Sequence, residues 1–139
     1  MNGIVQQLKK DKRLPFSLAS AFGFGLAAHG YMFLDNSLSH DSLREFHAEI
    51  LGNSIKMGSG RIFTSIYRDL LGNDVTLPWL AGLMSLIWIG LAVFLVTRLF
   101  QVKSRTTICL IAGIFATNIA VSATAATYIH DLDSYMFSM

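Results

Sequence analysis

Three long apolar runs constrain this chain more than any other feature of its sequence. They lie at residues 16–34, 78–100 and 106–127 of the 139 residues. A membrane-spanning α-helix needs roughly 20 consecutive, mostly apolar residues, and each run meets that length. The sequence therefore predicts an all-α membrane protein with three transmembrane helices.

The three runs differ in the polar residues that they contain. The second begins at Pro78, a residue tolerated in the first turn of a helix, and has almost no polar side chain before Val96. The first follows basic residues, as a signal peptide does, but it is longer than a signal core and is predicted to be retained. Four polar residues in the third run are expected to face neighbouring helices, namely Asn118, Ser122, Thr124 and Thr127.

The charge content supports this assignment and argues against other classes of protein. Only 14% of the residues are charged, against about 25% in soluble domains. The net charge of +2 is small and no basic stripe is interleaved with aromatic residues, so no nucleic-acid partner is predicted. The single Cys109 provides neither a disulfide nor a metal framework. Residues 1–139 are predicted to form one membrane domain, or a fragment of one.

The distribution of charges predicts the orientation of the spans. Basic residues precede the first span and crowd the turn between the second and third, where they are Arg98, Lys103 and Arg105. The positive-inside rule places both segments in the cytoplasm. The loop at residues 35–77 has six acids against four bases, and it is predicted to lie outside together with the tail from Tyr128.

The outer loop contains two stretches with apolar residues at helical spacing. They lie at residues 41–51 and 61–72 and are separated by a glycine-rich turn. This pattern predicts two short amphipathic helices lying along the outer membrane surface. The alternative is that they are ordinary packing helices in a small outer subdomain.

Acidic residues gather where two of the spans reach the outer face. Asp35 and Asp41 follow the first span, and His130, Asp131 and Asp133 follow the third. Carboxylates at that depth are costly unless they reach water or a partner. The simplest interpretation is that each acid ends a span.

A second interpretation is that the acids belong to a site for a lipid-linked phosphate substrate. Arg61, Arg68 or Lys56 of the same loop would pair with the phosphate, the arginines in bidentate fashion, and a nearby carboxylate would act as general base. Alternatively, the D-x-D spacing of Asp131 and Asp133 would hold a divalent cation.

Several segments, in this order and spacing, resemble the N-terminal part of the bacterial glucosyltransferase II family, whose members convert O-antigen serotype. These segments are "FLDNSLSHDS", "GSGRIFTSIYRDLLG", "LPWLAGLMSLIWIGLAVFLV" and "ATNIAVSATAATYIHDLDSYM". The resemblance implies a polytopic helical fold like that of GT-C glycosyltransferases. Because family members are several hundred residues long, it also implies that this chain is a fragment or a truncated form.

The resemblance further implies an activity and roles for individual residues. The activity is transfer of glucose from undecaprenyl-phosphate-glucose to O-antigen, or another cell-surface glycan, on the periplasmic face of the inner membrane. By position, Asp35 and Asp41 would be the first-loop catalytic acids, and Asp131, Asp133 and His130 would line the same cavity. Arg61 and Arg68 would bind the donor phosphate. The expected partners are membrane lipid, the donor, the glycan acceptor, a lipid-sugar flippase and a donor synthase.

Two other hypotheses compete with this one. The chain would be a non-catalytic three-span protein that binds or helps translocate a lipid-linked sugar, or an inactive truncated product. The acids on two outer rims favour the enzyme, whereas the small number of spans favours the non-catalytic protein.

Overall fold

All three apolar runs are helical. The computed structural model describes residues 11–35, 63, 66, 67, 70 and 77–138. Its helices are α1 (Arg13–Leu34), α2 (Pro78–Leu99), α3 (Arg105–Thr117), α4 (Ile119–Thr127), a 3₁₀ turn (Ile129–Asp131) and α5 (Leu132–Phe137). No β-strand occurs within these described ranges. Three helical segments, with α3 and α4 taken together, are long and apolar enough to cross a membrane, so the predicted fold class is confirmed.

The first helix begins at Arg13 rather than at the predicted Phe16, because Asp11 accepts hydrogen bonds from the amide groups of its first turn. The Asp11 carboxylate accepts a hydrogen bond from the Arg13 backbone N–H at 3.1 Å. The Asp11 carbonyl accepts another from the N–H of Leu14 at 3.2 Å. These bonds satisfy amide groups that a helix N-terminus otherwise leaves without partners. At the start of α3, the Ser104 side chain accepts from the N–H of Thr107 at 3.4 Å in the same way.

The third span is interrupted at Asn118. This residue has an extended conformation, with ψ of 156°, and separates α3 from α4. Its side-chain oxygen accepts from the Val121 N–H at 3.0 Å, and its amide donates to the Phe115 carbonyl at 2.7 Å. One side chain therefore caps the start of α4 and satisfies a carbonyl near the end of α3.

The hydroxyl groups of α4 bond to their own helix. Ser122 and Thr124 donate to the carbonyls of Asn118 and Ala120, at 3.1 Å and 2.8 Å. Each acceptor lies four residues earlier, which is a common arrangement for Ser and Thr inside helices. The sequence led us to expect these side chains to face neighbouring helices. Bonds within the helix satisfy their hydroxyls and are compatible with that arrangement, which stays a prediction.

Helices α1 and α2 pack closely and antiparallel. Three contacts define the pairing: Gly25 with Leu86, Gly82 with Phe33, and Gly90 with Leu18. Later residues of α1 meet earlier residues of α2, which fixes the antiparallel direction. At each contact a glycine admits a large side chain from the other helix, as small residues do between membrane helices.

Helix α3 lies beside α1 and runs parallel to it. The Phe24 ring of α1 lies 3.4 Å from the place that a Cβ would take at Gly113, and His29 hydrogen bonds to Ala116. The starts of α1 and α3 therefore lie at one end of the bundle, which we call the basic end. The last residues of α1 and α4 lie with the start of α2 at the opposite end, which we call the acidic end.

The C-terminal segment turns back along α2. The Phe137 ring of α5 contacts Trp88 in an edge-on arrangement, with the ring centres 4.9 Å apart. Trp88 is ten residues after Pro78 and so lies about 15 Å along the α2 axis from the acidic end. Part of the sequence after α4 therefore reaches the middle of the second span.

The second predicted loop helix is only partly described. Phe63, Ile66, Tyr67 and Leu70 are helical, whereas the first loop stretch lies outside the described residues. Tyr67 is 4% exposed and contacts Trp88, while Phe63, Ile66 and Leu70 are exposed. Tyr67 thus approaches the middle of α2 rather than its end. The location of both stretches along the membrane surface stays a prediction.

Candidate active site

The structure brings the acids that follow the first and third spans to one end of the bundle. Asp35 is the C-cap of α1, and its backbone N–H donates to the Tyr31 carbonyl at 2.9 Å. Asp131 ends the 3₁₀ turn that follows α4. Because α1 and α3 run parallel, both acids belong to the acidic end. This agrees with the expectation that two spans of the same direction deliver carboxylates to one face.

Asp131 and Asp133 are buried rather than displayed at the surface. Asp131 is 4% exposed and Asp133 is 1% exposed. The turn that holds them is tight, since the Ser134 hydroxyl donates to the Asp131 carbonyl at 2.8 Å. A buried carboxylate is stable only with polar or charged partners, and both residues have interaction partners in the folded chain. Their burial separates them from acids that simply end a helix in water.

Asp133 and Phe137 occupy the same face of α5. They are four residues apart, which places side chains one above the other on a helix. Phe137 contacts Trp88 of α2. The contact with α2 therefore fixes the orientation of α5 and with it the position of Asp133.

His130 and Asp35 are each half-buried, and they differ in their surroundings. His130 lies inside the 3₁₀ turn between Ile129 and Asp131, and its side chain has an interaction partner in the folded chain. Asp35 lies at the last turn of α1, one residue past Leu34, which is 81% exposed. Asp35 is thus the more accessible of the described acids at this end.

The other predicted site residues are not covered by the structure. Asp41, Arg61 and Arg68 lie outside the described residues. Within the described ranges, no three His, Cys, Asp or Glu side chains are grouped in a way that would hold a metal ion. The D-x-D pair of Asp131 and Asp133 therefore offers two carboxylates but no third ligand from the described part of the chain.

An aromatic cluster that the sequence did not reveal lies between α5 and the middle of α2. Tyr67 of the loop between α1 and α2 stacks on Phe137 with ring centres 4.8 Å apart. The Trp88 indole N–H donates to the Tyr67 hydroxyl at 3.2 Å. Three distant segments thus meet at one point on α2. A tryptophan in the middle of an apolar run gave no indication of these two partners.

A buried histidine links α1 to the interrupted third span. His29 is 2% exposed, and its Nε2 donates to the Ala116 carbonyl at 2.9 Å. A carbonyl only accepts, so the proton is on Nε2. Nδ1 is buried and forms no hydrogen bond with the described residues. His29 was not among the predicted site residues, although an ionisable residue inside an apolar run was an available signal.

Comparisons with known proteins identify one family. The model of the family described as Glucosyl transferase GtrII matches residues 30–139. The match begins within α1 and includes every acid of the acidic end. No curated protein and no solved structure matches the chain.

Proposed function

Because this chain belongs to the Glucosyl transferase GtrII family, we propose that it takes part in glucose transfer from undecaprenyl-phosphate-glucose. The proposed acceptor is O-antigen or another cell-surface glycan on the periplasmic face of the bacterial inner membrane. The proposed partners are the membrane lipid, a flippase that delivers the donor and a synthase that makes it.

The proposed chemistry is displacement at the anomeric carbon of glucose. An acceptor hydroxyl forms a new bond to that carbon, and a carboxylate takes the hydroxyl proton as general base. The bond between the anomeric carbon and the phosphate oxygen breaks, and undecaprenyl phosphate leaves with the bonding electrons. Asp35, Asp41 and Asp131 are the candidate bases, with Asp133 beside them. Arg61, Arg68 and His130 would neutralise the phosphate as it departs.

The observation that carries this proposal is the burial of two carboxylates where a span ends. A charge that only terminates a helix gains most by facing water, since ionised groups are strongly hydrated. Asp131 and Asp133 are instead nearly inaccessible and belong to the segment that the family model matches. Their burial favours a built site over the simpler interpretation that each acid ends a span.

A transfer assay tests the proposal directly. Membranes from cells that express the protein are incubated with undecaprenyl-phosphate-glucose that carries the label in its glucose. Label is expected to enter lipopolysaccharide that carries O-antigen, and not lipopolysaccharide that lacks it. UDP-glucose without the lipid carrier is expected to give no product.

Two results would contradict the proposal. Equal incorporation of label in membranes without the protein would show that this protein does not catalyse the transfer. Direct use of UDP-glucose would show that the donor is not lipid-linked. Tight binding of the donor with no transfer would instead favour the non-catalytic protein that binds or translocates a lipid-linked sugar.

The proposed orientation places the acidic end in the periplasm. Basic residues at the other end, including Lys103 and Arg105, would then face the cytoplasm. Reporters active only in one compartment, fused near Ile55 and near Lys103, are expected to report periplasm and cytoplasm respectively. The opposite pattern would contradict the proposed mechanism, because the acids would face away from the acceptor.

A further inference from the structure

A cleft at the basic end lies between the start of α1 and the start of α3. Its volume is about 470 Å³, within the range of small-ligand sites. Its polar wall is formed by four basic residues: Lys12, Arg13, Lys103 and Arg105. This cleft is far from the acidic end and has no part in the proposed glucose transfer.

The positive charge of the cleft is not compensated by the described part of the chain. Arg13 is paired with Asp11 at 2.7 Å, and hydrogen bonds from Arg13 lower the pKa of Asp11, so that this pair stays ionised. Among the described residues, Lys12, Lys103 and Arg105 form no ion pair. The ten residues that precede Asp11 contain two lysines and no acid.

Two helix N-termini add to the positive potential. α1 and α3 both begin at this cleft, and neither has an acidic residue in its first turn. The amide groups of a helix start carry partial positive charge and normally attract anions or acidic side chains. At the start of α1 the Asp11 carboxylate already accepts from the Arg13 N–H, whereas α3 starts at Arg105 with no acid. An anion from outside the chain would therefore relieve the repulsion between the basic side chains of the cleft.

The rest of the cleft is apolar. Phe16 and Ala19 of α1 and Ile108 of α3 line it below the basic residues. These three residues belong to helices that are long and apolar enough to span the membrane. The cleft therefore joins a cationic mouth to an apolar wall at the depth where phospholipid headgroups meet acyl chains.

We propose that this cleft binds the phosphate headgroup of one anionic phospholipid of the adjacent leaflet. Lys103 and Arg105 contact the phosphate, and the apolar wall contacts the first part of an acyl chain. Free inorganic phosphate would use the same cations but would make no contact with the apolar wall. A basic cleft between spans near the membrane surface is a known way to recognise such lipids.

The test compares nanodiscs of phosphatidylcholine with nanodiscs that also contain phosphatidylglycerol. Native mass spectrometry counts the lipids that remain on the released protein. The protein is expected to retain one phosphatidylglycerol, and the double variant Lys103→Gln/Arg105→Gln is expected to retain it about 30-fold less. Arg98→Gln is the matched control for the single variants Lys103→Gln and Arg105→Gln, because each removes one charge from the same turn and Arg98 does not line the cleft.

A second variant separates the site from the total charge. Arg105→Lys keeps the charge that orients the spans, but it loses the planar fork that binds phosphate in bidentate fashion. It is expected to retain less phosphatidylglycerol than the wild type. Equal retention by the wild type and the double variant would overturn the proposal. Loss of the bound lipid on addition of millimolar inorganic phosphate would overturn the choice of a phospholipid.

Discussion

Asparagine in place of the general base is expected to lower kcat for glucose transfer by about 100-fold or more, so at least one of the variants Asp35→Asn and Asp131→Asn is expected to show this loss. A general base contributes factors of about 10²–10⁴, and asparagine removes the basic carboxylate while keeping its size. The measurement is the initial rate of label transfer into O-antigen, divided by the amount of protein inserted in the membrane. That division matters for Asp131, because it is buried and its replacement can also affect folding.

The chain contains a matched control for the loss of a carboxylate. Asp11 lies at the basic end, where it pairs with Arg13 in a partly exposed position. Exposed ion pairs contribute little to stability, so Asp11→Asn is expected to keep the wild-type rate per inserted protein. Unchanged transfer in both Asp35→Asn and Asp131→Asn would remove the site assignment. A smaller amount of inserted Asp131→Asn protein, with a normal rate per molecule, would assign that carboxylate to folding.

Much of the fold could be predicted because a membrane span depends on local properties of the sequence. Length and apolar composition alone identify residues 78–100, and the observed α2 ends only one residue earlier. The interruption at Asn118 was not predicted. An asparagine in an apolar run is compatible with a continuous helix, and only the bonds to Phe115 and Val121 show that this one ends α3 and starts α4.

The candidate site could be predicted as far as the ends of the spans. Two spans that run in one direction deliver Asp35 and Asp131 to the same end, and the number of membrane crossings alone is enough to predict this. The burial of Asp131 and Asp133 could not be predicted, because it depends on how the segment after α4 folds back on α2. That packing uses Trp88 and Phe137, whose contact has no signature in local composition or periodicity.

Gly90→Leu is expected to force α1 and α2 apart and to lower the free energy of unfolding by about 3 kcal/mol. A Cβ at Gly90 would lie 2.7 Å from the Leu18 Cδ2 atom and 3.1 Å from the Leu18 Cα atom. The side-chain atom can rotate away, but the backbone atom cannot move unless the helix moves with it. The measurement is unfolding in detergent micelles with increasing dodecyl sulfate, followed by the loss of helical circular dichroism.

The control for this change is Gly23→Leu, at an exposed glycine of α1. No atom lies within 4 Å of the Cβ position at Gly23, and leucine is the better helix former. This variant is therefore expected to unfold at the wild-type detergent concentration or slightly above it. Unfolding of Gly90→Leu and Gly23→Leu at the same dodecyl sulfate concentration would contradict the close packing of α1 on α2.

The displacement in Gly90→Leu is also expected to lower glucose transfer, although it changes no acid. Gly90 and Trp88 are two residues apart and so point about 200° apart around α2. Leucine at Gly90 therefore pushes on α1 while the contact of Trp88 with Phe137, on the other side of α2, is kept. Asp35 moves with α1, whereas Asp133 stays with α5 on α2.

The expected result for Gly90→Leu is that tryptophan circular dichroism is retained while glucose transfer is reduced, because the site would need carboxylates from both elements at a fixed distance. Full transfer by a variant whose α1 has moved would show that Asp35 does not act together with the acids of the C-terminal turn.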